Sequence, residues 1–402
     1  MPDPRTLVAE LGNGAPWRPA NARLYLRQLG LGREVVDPSA ALVATAGWLR
    51  RAADATSDGG VSWGYRLRGG WAASYPETTG YIVPTFLALD ASPLADGRDR
   101  ERAERSIRFL AGVRLPDGSF PGRRIDENRT EPSVFNTAQI LHGLTAWHTA
   151  TGDDAIRTMA LDAARWLVDG QDEDGTWRRH AYGGIPVAYV AHGTCWLAEH
   201  AEATGDDAAR RAAERHLDWV LGQYDAGAGW FDLAGFTAED HAARRAVTHT
   251  IAYTIWGVLD LGLRLGRDDA IQAAATAAAQ VAGVVRREGR LPGMLDAAYI
   301  AGASWECLTG NSQMALIWLR LASLGHSAGD REAATIALDR VRRSISLRSS
   351  DRGIRGGVAG SDPPWGTYIR FTFPNWAAKF TIDALLAEGK ATGPVATVDE
   401  AG

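Results

Sequence analysis

The stretch QDEDGTW at 171–177 decides the reading of this chain, because three other segments repeat its chemistry. They are DGGVSW at 58–63, PDGSF at 116–120 and DAGAGWF at 225–231. Each carries an aromatic residue at its end, namely Trp63, Phe120, Trp177 and Trp230, at intervals of 57, 57 and 53 residues. A second aromatic, Phe109, Trp166 or Trp219, stands eleven residues before each of the last three. Two weaker copies follow, EGRLPG at 288–293 and DRGIRGG at 351–357. Self-similarity at a fixed period marks a repeat architecture, and six units of about 57 residues cover most of the chain.

Each unit reads as two helices. Before the turn runs an Ala/Arg/Glu-rich amphipathic segment such as 205–222, with apolar residues near every third or fourth position. After it comes a more apolar, Gly-punctuated segment: 77–90, 133–147, 186–201, 247–263, 305–322 and 375–387. An amphipathic helix keeps one wet side, whereas a helix apolar nearly all round must be buried. The alternation predicts six outer helices wrapped around six inner ones. Gly and Asp in the turns supply positive φ and local side-chain hydrogen bonds.

This arrangement resembles the α/α-toroid proteins, and QDEDGTW matches the Q-x-x-x-G-x-W repeat of squalene and terpenoid cyclases. The resemblance implies an all-α fold, an (α/α)6 toroid of six helical hairpins forming one domain over residues 37–387. Residues 1–36 read as an irregular leader and 388–402 as a flexible tail. Toroids of this kind also house sugar epimerases, polysaccharide lyases, glycosidases and protein prenyltransferases, so the fold does not choose the chemistry.

Composition narrows the classes. The 402 residues are 46% hydrophobic and 23% charged with a net charge of -5, and no basic run suggests nucleic acid. No run of eighteen apolar residues and no charged-then-apolar leader is present, so no membrane partner and a cytoplasmic location are expected. Cys195 and Cys307 form no disulfide framework, and no CxxC or HxxxH spacing suggests a metal. No cofactor is implied. Only Lys379 and Lys390 among the 43 basic residues are lysine. The oligomeric state is not legible.

In such a barrel the starts of the inner helices open into one funnel. All six starts carry polar groups, several at i,i+3 or i,i+4 and so on one helical face. They are Glu77 with Tyr81, Asn136 with Gln139, Tyr189 with His192, His249 with Tyr253, Glu306 with Gln313 (beside Asn311), and Asn375 with Lys379. Each has a structural alternative. Glu77 suits the positive end of a helix dipole. His192 suits packing on Trp196, and the amides suit bonds to one another. Lys379 suits a buried ion pair; in an Arg-dominated chain it also suits a ligand carboxylate or phosphate. The loops add His180 and Tyr182 in RHAYGG (179–184), the charged run RRIDENRTEP (123–132), and Asp362, Trp365 and Tyr368 in DPPWGTY (362–368).

The residues favour an enzyme acting by acid–base chemistry on a small-molecule or oligosaccharide substrate, with an acidic sugar preferred. Abstraction of a sugar C–H proton needs a base, an opposing acid and groups that neutralise an enediolate. Glu77, His249, Tyr253 and Glu306 are the expected catalytic residues, the others substrate-binding. Epimerisation and β-elimination share this first step and lead the reading. Hydrolysis is the runner-up, needing two carboxylates, such as Glu77 and Glu306, flanking the bond. A terpenoid cyclase lacks support, since no DxDD acid motif occurs. A non-catalytic sugar-binding toroid is the remaining alternative.

Overall fold

The aspartate and glycine of each turn do the same local work. Asp117 Oδ1 accepts from the Ser119 backbone N–H at 3.1 Å, and Asp174 Oδ1 from Thr176 at 3.1 Å. Gly175 has a positive φ of 86°, and a Cβ there would meet the Arg215 carbonyl oxygen at 2.5 Å. Its equivalents Gly59 and Gly118 meet the Arg105 and Asp162 carbonyls in the same manner. The turn glycine is therefore the contact point with the outer helix of the following unit, which is why the motif recurs at the repeat period.

The computed structural model describes residues 12–28, 35–127 and 130–392. It contains the expected six outer helices: Pro38–Asp54, Asp99–Val113, Asp154–Asp169, Asp207–Leu221, Asp268–Glu288 and Arg331–Ser344. The six inner helices are Pro76–Asp90, Val134–Thr151, Ala191–Thr204, Thr248–Leu265, Leu308–Ser323 and Asn375–Thr392. Along Asp207–Leu221 the buried residues Ala209, Ala212, Ala213, His216, Leu217 and Val220 form one stripe. Along Val134–Thr151 buried residues occur on all sides. The hairpin turns have their own signal, TGDD at 151–154 and 204–207: Gly152 and Gly205 end inner helices in the left-handed region, and Asp153 and Asp206 cap the next outer ones.

Each inner helix packs on its two inner neighbours, and the sixth on the first, so the ring closes. The seam is made by unlike ends. The first outer helix lies against the last inner helix. Strand Gly64–Arg66 pairs antiparallel with Thr372–Pro374. Trp48 Nε1 donates to the Gly353 carbonyl at 2.7 Å. Arginines join successive outer helices, as in Arg50–Asp99 at 2.6 Å and Arg114–Asp162 at 2.6 Å. This (α/α)6 toroid matches the expected fold class.

Two parts of the chain read as irregular contain helix. Pro19–Gln28 is helical within the expected leader, and the last inner helix runs on to Thr392. The rest of the expected leader at 1–11 and 29–34, and the tail at 393–402, lie outside the described residues.

Candidate functional site

Because all inner helices run the same way, their N-terminal turns share one end of the barrel. The first begins Tyr75-Pro76-Glu77, with proline at its first position and Glu77 in its first turn. A carboxylate there would normally be favoured in its charged form by the helix dipole. Glu77 is only 8% exposed, and burial pushes its carboxyl up to about 7 against the help of a hydrogen bond from the Tyr75 hydroxyl. Desolvation thus outweighs that hydrogen bond. Asn136, at the start of the second inner helix, also hydrogen-bonds the Tyr75 hydroxyl and donates to the Pro121 carbonyl at 3.1 Å. The charge of Glu77 acts on Tyr75, Tyr81, Tyr189, Tyr253 and Tyr368, whose hydroxyls burial already raises. Glu77 is thus a buried carboxyl hydrogen-bonded to Tyr75 whose charge is felt by four further tyrosines.

Tyr253 is the second centre. Its ring stacks on His192 at 4.1 Å between centroids and lies 4.3 Å from His249 one turn earlier on its own helix. Phe135 and Phe380 pack around it at 5.7 and 5.9 Å, and Tyr81 shares a hydrogen bond with it. The helices carrying the two histidines approach closely at Gly257, where a Cβ would overlap the Ala191 carbonyl carbon and the His192 nitrogen. Burial lowers the pKa of both imidazoles, that of His249 to about 4, so both are neutral near pH 7. His192 Nδ1 lies 2.7 Å from Gln139 Nε2, and His249 Nδ1 lies 2.8 Å from Gln313 Oε1. Tyr189 packs edge-on against Phe135 at 5.6 Å and against Phe236 at 5.6 Å.

Glu77, Tyr81, Asn136, Gln139, Tyr189, His192, His249, Tyr253 and Gln313 are thus joined in one connected set. Lys379 borders this set, its Nζ 5.6 Å from the centroid of the Tyr81 ring and its charge adding to the lowering of His192. The remaining expected residues are held by other partners. Glu306 precedes its helix in a two-residue strand and turns toward the outer layer, where Arg340 Nε donates to Oε1 at 2.8 Å and Arg340 Nη2 to the same oxygen. Burial pushes its carboxyl up, and the guanidinium opposes this. Asp362 pairs across the strand with Glu306. Lys379 Nζ forms an ion pair with Asp383 at 2.6 Å, one turn further along its own helix, with the Phe380 ring 4.4 Å away. Asn311 Nδ2 donates to the Cys307 carbonyl, and Asn375 Nδ2 to the Ser62 carbonyl and the Thr78 hydroxyl, at 3.0, 2.8 and 2.7 Å. At the rim, Tyr182 is 62% exposed and Trp365 45% exposed. His180 lies against Trp166 with centroids 5.7 Å apart.

Tyr75, Phe135, Phe236, Trp256 and Phe380 belong to the cluster without having been singled out from sequence. Phe135 directly precedes Asn136 and Tyr75 stands two residues before Glu77, so aromatics beside these two helix starts carried the signal. Tyr368, noted only within its loop motif, lies 5.4 Å from His249 and accepts from Trp376 Nε1 at 2.9 Å. Among the described residues no group of three His, Cys, Asp or Glu side chains is placed to hold a metal ion, and no helix is long and apolar enough to cross a membrane.

No protein-family model matches the chain, and no curated protein sequence matches it. Solved structures share its fold. It is similar to an unsaturated glucuronyl hydrolase from a Bacillus species, with 18% identity over 87% of this chain and 94% of that one, at a TM-score of 0.64. A cellobiose 2-epimerase from Bacillus thermoamylovorans matches with 14% identity over 85% of this chain and 95% of its own, at a TM-score of 0.66. An α-amylase from Clostridium perfringens matches with 12% identity over 87% and 97%, at a TM-score of 0.65. At such identities the likeness concerns the toroid itself.

Proposed function

We propose that this protein is a carbohydrate-active enzyme that moves protons at a sugar bound among Glu77, Tyr253, His192 and His249, with epimerisation as the preferred reaction. The observation that carries the reading is one cluster holding a carboxyl near 7 and two neutral imidazoles. A carboxyl that exchanges a proton near neutrality, beside two imidazoles held neutral, suits removal and return of a proton next to a sugar carbonyl. In that step a base, His249, takes the C–H proton and the electron pair moves to the carbonyl oxygen. Hydrogen-bond donors, His192 and the tyrosine hydroxyls, stabilise the resulting enediolate. Delivery of the Glu77 carboxyl proton to the other face of the carbon inverts it, and the proton left on His249 returns to Glu77 through water. The fold's likeness to a cellobiose 2-epimerase agrees with this reading.

Hydrolysis is the second reading, favoured by the raised carboxyl of Glu77 as an acid for a glycosidic oxygen and by the likeness to a glucuronyl hydrolase. It needs a second carboxylate about 5–10 Å away in the usual two-carboxyl scheme. Glu306, the expected partner, is engaged by Arg340 instead. An acidic substrate also loses support, because the Lys379 ammonium expected to hold its carboxylate is paired with Asp383.

The test is incubation with neutral reducing disaccharides and with uronate oligosaccharides in D2O, followed by NMR. Deuterium at the carbon beside the carbonyl without chain cleavage establishes epimerisation. New reducing ends establish hydrolysis, and ultraviolet absorbance of an unsaturated uronate establishes elimination. No change on any sugar sinks the carbohydrate reading.

A further inference from the structure

The two imidazoles against Tyr253 are mounted differently. An indole N–H can only donate, and Trp196 Nε1 donates to Gln139 Oε1 at 3.0 Å. That contact fixes which end of the Gln139 amide is oxygen, so the amide nitrogen is the atom 2.7 Å from His192 Nδ1. An amide NH2 has no acceptor capacity, which leaves His192 Nδ1 as the acceptor. A neutral ring with a bare Nδ1 carries its proton on Nε2. His192 is 1% exposed and its Nε2 has no hydrogen-bond partner among the described residues. A fully buried donor left open in this way is the kind of group a ligand oxygen satisfies. Trp196 is itself fixed, stacked on His142 at 3.7 Å, whose Nδ1 lies 3.1 Å from Glu199.

His249 is set the other way. Its Nδ1 faces Gln313 Oε1 at 2.8 Å, so Nδ1 holds the proton and Nε2 presents a lone pair. The far end of Gln313, Nε2, has no partner among the described residues, so no third group there locks this amide.

We propose that Trp196 and Gln139 are positioning residues that lock His192 as an Nε2–H donor, so that His192 gives a hydrogen bond or proton while His249 receives one. The use made of the donor rests on the proton-transfer reaction proposed above; the tautomer itself does not. The lock explains why a glutamine and a tryptophan, rather than apolar residues, stand between the second and third inner helices.

The experiment is 15N NMR of histidine-labelled full-length protein without substrate, in the native chain and in Trp196→Phe. The substitution keeps an aromatic ring against His142 and removes only the indole donor. In the native chain the expected signature is an unprotonated Nδ1 and a protonated Nε2 at His192; a protonated Nδ1 overturns the proposal with no variant needed. In Trp196→Phe the His192 signals are expected to report a mixture of tautomers, because Gln139 is free to turn over. An unchanged single tautomer removes Trp196 from the lock and overturns its role. Gln139→Glu is expected to move the proton to Nδ1, since a carboxylate there accepts from the ring. With the sugar identified in D2O, Trp196→Phe is expected to lower kcat about tenfold with little change in KM, the scale of losing a group that orients a histidine. If the tautomers behave as expected while no sugar reacts, the lock stands and the carbohydrate reading falls, so the two failures are told apart.

Discussion

Glu77 and Glu306 stand at corresponding places, the starts of the first and fifth inner helices, and both are buried. Glu77 lies inside the first turn and is hydrogen-bonded by Tyr75, with no cationic partner among the described residues, and burial holds it near its neutral form. Glu306 stands two residues before its helix and reaches outward between the layers to Arg340. A displacement of a few residues along the same element thus separates a carboxyl set up to exchange a proton from one set up to hold two layers together. Burial alone distinguishes neither; the partner does.

Replacing each glutamate by glutamine is the most direct way to break this contrast. Glu77→Gln is expected to lower turnover by about 10²–10⁴-fold, the scale of losing a general acid or base, while the chain stays folded. Glu306→Gln is expected to leave turnover within about twofold but to cost roughly 3 kcal/mol in urea unfolding, because Arg340 loses its charged partner. Equal loss of activity in two folded variants would erase the distinction.

A smaller effect lies in the pH dependence of stability. Folded Glu77 keeps its proton up to about 7, whereas an ordinary glutamate releases it near 4.5. The native state therefore binds the extra proton between those values. Stability from this group is full below about 4.5 and is lost as pH rises toward 7, by on the order of 3 kcal/mol. Buried His249, at about 4 against 6.5, acts in the opposite sense over an overlapping range. The difference between the native chain and Glu77→Gln cancels that histidine, so unfolding free energies of both at acid and neutral pH isolate the glutamate. A difference that does not vary with pH would mean that Glu77 is ionised throughout.

The smallest expected effect concerns Lys379. Lys379→Met removes an ion pair whose carboxylate, Asp383, keeps a hydrogen bond from Thr85 at 3.0 Å. The expected cost is about 1 kcal/mol in thermal unfolding, with KM unaltered for any sugar. A rise of about tenfold in KM for a uronate, equal to about 1.4 kcal/mol, would return the lysine to the substrate.

The toroid was readable because its repeat is marked at turns whose backbone tolerates little but glycine. Gly175 is forced by its contact with Arg215, and TGDD ends one helix and caps the next. Helix starts were less sharp: the third inner helix, expected from 186, begins at Ala191 after a short 3-10 turn at Ala188–Val190. The helix Pro19–Gln28 lies outside the repeat and went unread. Polar pairs at the inner-helix starts brought together Glu77, Tyr81, His192, His249 and Tyr253. Glu306 and Asn375 instead bond Arg340 and the Ser62 carbonyl, partners far off in sequence that the spacing does not reveal, while Asn311 bonds the Cys307 carbonyl four residues back. Lys379 is different. Its partner Asp383 stands at i+4 on the same helix, a pairing that spacing does reveal.

The seam of the ring imposes an order on synthesis. Hairpins in the middle of the chain meet their neighbours as they leave the ribosome, as the units of an open solenoid do. The first outer helix cannot. Its apolar face, with Ala41, Ala46, Leu49, Ala52 and Ala53, packs in a helix that lies against Asn375–Thr392, the ring helix made after all the others of the ring. Until that helix emerges the growing chain carries an unsatisfied apolar stripe, the kind of surface that invites misassembly or a chaperone. An open repeat protein caps its two ends separately; in this one the ends cap each other.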